Sequence, residues 1–165
     1  MKNLGNYWMA CAMAALVVFS SCKDEDEEPR VLSRTYNLAS VSDPAISGKV
    51  TFTKLDAGST NILIELEGTS AGNTHPAHIH ANSASEGGPI AIDLTSVDGA
   101  TGMSETTVTQ ENDGTPVTYE GLLNYDGYVN VHLSPTMLST LIAQGNIGSN
   151  EAGVPGPGSG NNNGY

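Results

Sequence analysis

Four histidines stand at two places in the 165-residue chain: His75, His78 and His80 in the run THPAHIH, and His132 in YVNVHL. Imidazole is largely neutral at physiological pH and offers a ring-nitrogen lone pair, so a cluster of such rings can hold a metal ion. In an extended strand, side chains at i and i+2 share one face about 7 Å apart. His78 and His80 can then converge while Ile79 points into a core. In the second run Val129, Val131 and Leu133 form the apolar face, and Tyr128, Asn130 and His132 the opposite one. All three strand histidines are therefore expected on the outer face of a sheet. If their strands are neighbours, three imidazoles meet at one point, a donor set suited to copper or zinc with one coordination position open. His75 precedes Pro76, where the backbone is pushed toward an extended form, and is expected either to add a fourth ligand or to cap a loop. The competing reading makes the histidines solvent-facing or hydrogen-bonded strand residues without metal, and the spacing leaves both open.

Other chemistry is absent from the sequence. There is no G-x-S-x-G elbow, phosphate-binding glycine loop or H-E-x-x-H motif. Glu65 and Glu67 share an exposed strand face, as solvated edge acids commonly do. Glu111-Asn112-Asp113-Gly114 lacks the spacing of a calcium loop and reads as a turn. Ser83, Ser85 and Glu86 follow His80 in a polar loop with nothing to make a nucleophile of either serine. No residue is assigned a catalytic role.

Period-2 alternation dominates the elements that must position the histidines. Residues 48–55 alternate Val50 and Phe52 against Thr51 and Thr53, and residues 61–67 alternate Ile62, Ile64 and Leu66 against Leu63, Glu65 and Glu67. With Asp56-Ala57-Gly58 between them they form a hairpin with one buried face. Further strands are expected at 35–40, 77–81, 89–94, 104–110, 117–124, 128–133 and 143–148. Asp126-Gly127 is expected to be a tight hairpin turn, and 135–141 the one short helix. Many short strands separated by Gly- and Asp-rich turns predict an all-β fold, an antiparallel Greek-key β-sandwich.

The two ends have different compositions. Residues 7–19 form an apolar run shorter than the roughly 20 residues a membrane-spanning helix needs, and Lys2 gives it a positive start. Phe19-Ser20-Ser21-Cys22 resembles the lipobox of bacterial lipoproteins, which implies a signal peptide at 1–21 and lipidation at Cys22. Several acyl chains on one cysteine would hold the protein to a membrane without a spanning segment. Residues 22–30 are an acidic tether, 31–149 the domain, and 150–165 a Gly-, Pro- and Asn-rich disordered tail. The acids after Cys22 resemble the export signal of some surface lipoproteins, which implies the cell envelope, at the outer membrane or cell surface. With 18 acidic against 6 basic residues and a formal charge of −12, the chain repels phosphate backbones, so nucleic acid is excluded as a partner. Cys11 leaves with the leader and Cys22 is acylated, so the domain has no thiol for a disulfide or a cysteine nucleophile.

The histidine runs also carry a family resemblance. HPAHIH followed by EGGPIAIDL, then DGYVNVHLS and a closing IAQGNIG, resembles the CHRD domain, with its A-x-H-I-H segment, Gly-Pro step into a strand and Y-V-N-v-H strand. The likeness runs from about 36 to 148, although Ile142, Ala143 and Gln144 stand in the last strand where the family pattern has an arginine. It implies an extracellular setting and a fold like copper/zinc superoxide dismutase, in which His78, His80 and His132 match copper-ligand positions. The rest of a dismutase is missing. No histidine between His80 and His132 could bridge two metals, and Lys54 is the last basic residue, so an acidic surface repels superoxide. The sequence thus describes a lipid-anchored CHRD-like domain without firm enzymatic activity that binds copper or zinc through His78, His80 and His132. A binding or adhesion module with structural histidines is the alternative, and weak copper-dependent dismutation the third reading.

Overall fold

The structure, a computed structural model, describes residues 31–42, 45–56 and 58–151. The expected signal peptide, the lipidation site Cys22, the acidic tether and all but the first two residues of the tail lie outside the described residues. Among the described residues no helix is long and apolar enough to cross a membrane.

Eight strands and one short helix follow one another as β1 (Ser33–Ser40), β2 (Ser47–Lys54), β3 (Thr60–Glu67), β4 (Thr74–Ala81), β5 (Ile90–Asp98), β6 (Met103–Val108), α1 (Tyr119–Leu123), β7 (Asp126–His132) and β8 (Leu141–Gly148). All pairings are antiparallel, and the strands close in the order β1-β2-β3-β6-β5-β4-β7-β8. The all-β expectation holds. The separate sheets of a sandwich are instead joined into one barrel, by Asp98↔Met103 between β5 and β6 and by Ala39↔Gln144 and Ser40↔Ala143 between β1 and β8.

The β2–β3 hairpin forms as the alternation requires, in register from Ser47↔Glu67 to Lys54↔Thr60. Its inward residues Val50, Phe52, Ile62, Ile64 and Leu66 are buried together with Tyr36, Leu38, Ala77, Ile79, Val129, Val131 and Ile147. Tyr36 meets Phe52 edge to face, with ring centroids 5.3 Å apart. Each large apolar side chain buried here stabilises the fold by about 1.5–3 kcal/mol, and with no cysteine among the described residues this burial must do the work that disulfides do in some small domains.

Three local expectations are corrected. Residues 117–124, read as a strand, contain α1. Val117, Tyr119 and Leu123 imitate a period of two, but the chain buries Tyr119 and Leu122, three apart, and Thr118 caps the helix by accepting from the Gly121 N–H at 3.1 Å. Asp126-Gly127 is not a turn: the two residues open β7 and pair with Gly148 and Ile147, because α1 and its C-terminal cap already reverse the chain. Residues 135–141 are not helical. Met137 N–H donates to the Ser134 carbonyl and Thr140 N–H to the Met137 carbonyl, consecutive turns that lead into β8 at Leu141.

One pairing matters for function. β4 lies between β5 and β7, so both histidine runs occupy neighbouring strands, with His78 opposite Asn130 and His80 opposite Tyr128.

Candidate metal centre

His78 and His80 alternate with the fully buried Ala77 and Ile79, so their rings leave the core face of β4. His132 is two residues beyond Asn130, hence a diagonal neighbour of His78 on the same face of β7, within reach of a side chain as long as imidazole. One ring nitrogen from each of His78, His80 and His132 lies within 4.8 Å of those of the other two. His78 Nδ1 and His132 Nε2 are 3.0 Å apart. Nitrogens about 2.0–2.1 Å from a tetrahedral ion are separated by roughly 3.3 Å, so a separation of up to 4.8 Å needs to close by about 1.5 Å for all three to bind one ion.

The outer face is not open to solvent at β7, as simple alternation would have it. Tyr128, Asn130 and His132 are buried, only slightly less than the fully enclosed Val129 and Val131 between them. Two loops cover them. In the segment after β7, the Leu138 carbonyl accepts from His132 Nδ1–H at 2.5 Å. In the segment between β4 and β5, the Gly88 carbonyl accepts from His80 Nδ1–H at 2.9 Å, and the Gly88 N–H donates to the Tyr128 hydroxyl.

These bonds decide which nitrogens can bind metal. A ring nitrogen facing a carbonyl must carry the hydrogen, so His80 and His132 both present Nε2 as a lone pair. His80 Nε2 is buried and has no hydrogen-bond partner. His132 Nε2 accepts from His78 Nδ1–H, which leaves His78 Nε2 3.7 Å from Asp93 Oδ1. For His78 to offer Nδ1 to an ion, its hydrogen must move to Nε2, where the Asp93 carboxylate faces it. Burial, followed by the neighbouring His132 imidazole, holds His78 below the usual histidine range. Burial lowers His132 as well, against the opposing effect of its bond to Leu138. Both shifts favour the neutral form that a metal requires.

His75 is not brought to this cluster. It shares the inward side of β4 with Ala77 and Ile79, is 1% exposed, and directs Nδ1–H at the Leu133 carbonyl (2.9 Å) and the His132 carbonyl (3.2 Å). It therefore touches the backbone of a cluster histidine from inside the barrel. Sequence reasoning missed Asp93, Tyr128 and Gly88. Tyr128 carried a signal, since it shares the parity of His132 four residues later, whereas Asp93 becomes visible only through its pairing opposite His78.

An antiparallel barrel with a histidine triad on two adjacent strands defines the class of the domain. The chain belongs to the CHRD domain family, whose profile matches residues 31–135 and so includes all three histidines. No curated protein sequence matches the chain significantly.

Proposed function

We propose that this domain binds one copper or zinc ion through His78, His80 and His132 and serves as a lipid-anchored metal-binding module of the cell envelope, held through Cys22. The carrying observation is the convergence of three ring nitrogens within 4.8 Å, with two tautomers fixed by backbone carbonyls. The buried, unpartnered His80 Nε2 fits such a role, because an unsatisfied buried acceptor costs about 1–3 kcal/mol and an ion would satisfy it. Three imidazoles suit copper and zinc alike, and the Irving–Williams order ranks copper(II) above zinc for the same donors. The Greek-key part of the fold expectation draws support from the strand order, in which the non-consecutive strands β3 and β6, and β4 and β7, lie side by side.

A second reading rests on the His78–His132 hydrogen bond, which lets the triad knit two strands without an ion. Dismutation has less support. Among the described residues Arg34, Lys49 and Lys54 are the only Lys or Arg side chains, and each is paired with a carboxylate, Glu151, Glu65 and Glu120 respectively, so none is free to steer an anion toward the triad. Metal analysis of purified protein after exposure to copper(II) or zinc(II) tests the proposal. One equivalent is expected in the wild type and well below one in His78→Ala or His132→Ala; a wild type that retains no stoichiometric metal leaves the second reading.

A further inference from the structure

We infer that Tyr128 is a positioning residue of this centre, holding the His80 ring so that Nε2 faces the other two histidines before any ion arrives. The inference rests on the metal-site reading above and concerns how that site is kept ready.

Three contacts form a closed circuit. The His80 ring stacks on Tyr128, with centroids 4.9 Å apart and planes inclined by 20°. The Tyr128 hydroxyl accepts from the Gly88 N–H at 3.1 Å, and the Gly88 carbonyl accepts from His80 Nδ1–H at 2.9 Å. The phenol thus acts on the imidazole twice, through its ring face and, at its far end, through the peptide that fixes which ring nitrogen carries the hydrogen. Tyr128 and His80 are directly opposite one another on β7 and β4, which sets the stack, and Tyr128 is 4% exposed, which keeps water from replacing either contact.

Only glycine can complete the circuit. A Cβ on Gly88 would lie 1.9 Å from the Ala81 carbonyl oxygen, so position 88 passes against the end of β4 as bare backbone. The Ala81 N–H in turn donates to the Pro89 carbonyl, tying the far side of the same segment to β4. Asn82 supports the return of the chain from a left-handed conformation (φ 70°), its side-chain amide donating to the Gly87 carbonyl at 3.0 Å. The Gly-Gly-Pro step thereby acquires a job: it carries the tyrosine's hold across to the histidine.

The hydroxyl can be removed without removing the stack. In Tyr128→Phe the Gly88 N–H loses its acceptor while the ring remains, so the protein folds and the circuit opens at one point. Nitrogen NMR of the metal-free protein, above the pH at which histidines are charged, reads which ring nitrogen of His80 bears the hydrogen; zinc titration reads the affinity. The wild type should show hydrogen on Nδ1. Tyr128→Phe should show a mixture of both forms and a zinc affinity lower by roughly tenfold, the lower end of what loss of a ligand's outer partner costs. Tyr128→Leu, which also removes the stack, should weaken binding further. Unchanged hydrogen placement in Tyr128→Phe overturns the inference, whether the affinity falls or not, because the hydroxyl would then have no hold on the ring. If the wild type takes up no zinc or copper, the metal-site reading fails separately. The NMR comparison still decides whether Tyr128 sets the His80 ring.

Discussion

Replacing His78 by alanine separates a metal site from a structural cluster, because the two predict different melting behaviour. Without metal, His78→Ala removes the bond from Nδ1–H to His132 Nε2, worth about 1 kcal/mol, together with the packing of the ring against His132, whose centroid is 4.9 Å away. With an unfolding entropy of about 2.1 cal/mol/K per residue and roughly 120 residues in the domain, 1 kcal/mol corresponds to about 4 °C. Metal acts on a larger scale. Free zinc at one hundred times the dissociation constant stabilises the wild type by about 2.7 kcal/mol, which is roughly 11 °C. Leaving two imidazoles and weakening binding about a hundredfold reduces that shift to about 2 °C at the same zinc concentration. Thermal melts at neutral pH with buffered free zinc measure both quantities. Equal zinc-induced shifts in wild type and His78→Ala would refute the reasoning, as would a wild type whose melting temperature ignores zinc and copper at every concentration.

Two further outcomes follow from the titrating groups. His78 and His132 are held below the ordinary value of 6.5 in the folded protein, so the unfolded chain binds more protons and folding stability falls as pH drops through 6.5 toward the lowered values; in denaturant titrations across this window His132→Ala should lose less stability than the wild type. Tyr125 is pushed up to about 12 by burial and by the charge of Glu111, whose carboxylate accepts its hydroxyl at 3.2 Å. Its protonated form is favoured by folding, so the associated stability is full below 10 and lost as pH climbs toward 12. Ultraviolet titration of the phenols should show its midpoint fall in Glu111→Gln, and an unmoved midpoint would remove Glu111 as a cause.

Much of the barrel was legible because period-2 alternation is a local signal. Val50, Phe52, Ile62 and Ile64 announce the β2–β3 hairpin and its buried face without reference to anything distant. The same signal misled at Val117–Tyr119, where apolar residues two apart belong to the approach and first turn of a capped helix, and where Thr118 is an N-cap rather than a strand residue. His78, His80 and His132 could be placed on one face by parity, but their nearness depended on β4 and β7 being neighbours, which only the closed strand order decides. His75 shows the limit of motif reading. It sits in the same six-residue run as His78 and His80, yet an odd spacing turns it inward onto the carbonyls of residues 132 and 133. The covering of His132 by the loop that carries Leu138 could not be read at all, since nothing in PTMLSTL says which carbonyl will find a ring nitrogen.

The triad's members are far apart along the chain: His132 follows His78 by 54 residues, with β5, β6 and α1 between them. Contacts at such separation form late in folding, because a long loop must close before they are gained. A nascent or truncated polypeptide ending before β7 would present only the His78/His80 pair, too few donors to compete for a scarce ion. On the proposed reading, metal capture would therefore begin only once the last strands have docked, so that an ion bound by the triad would report a completed barrel.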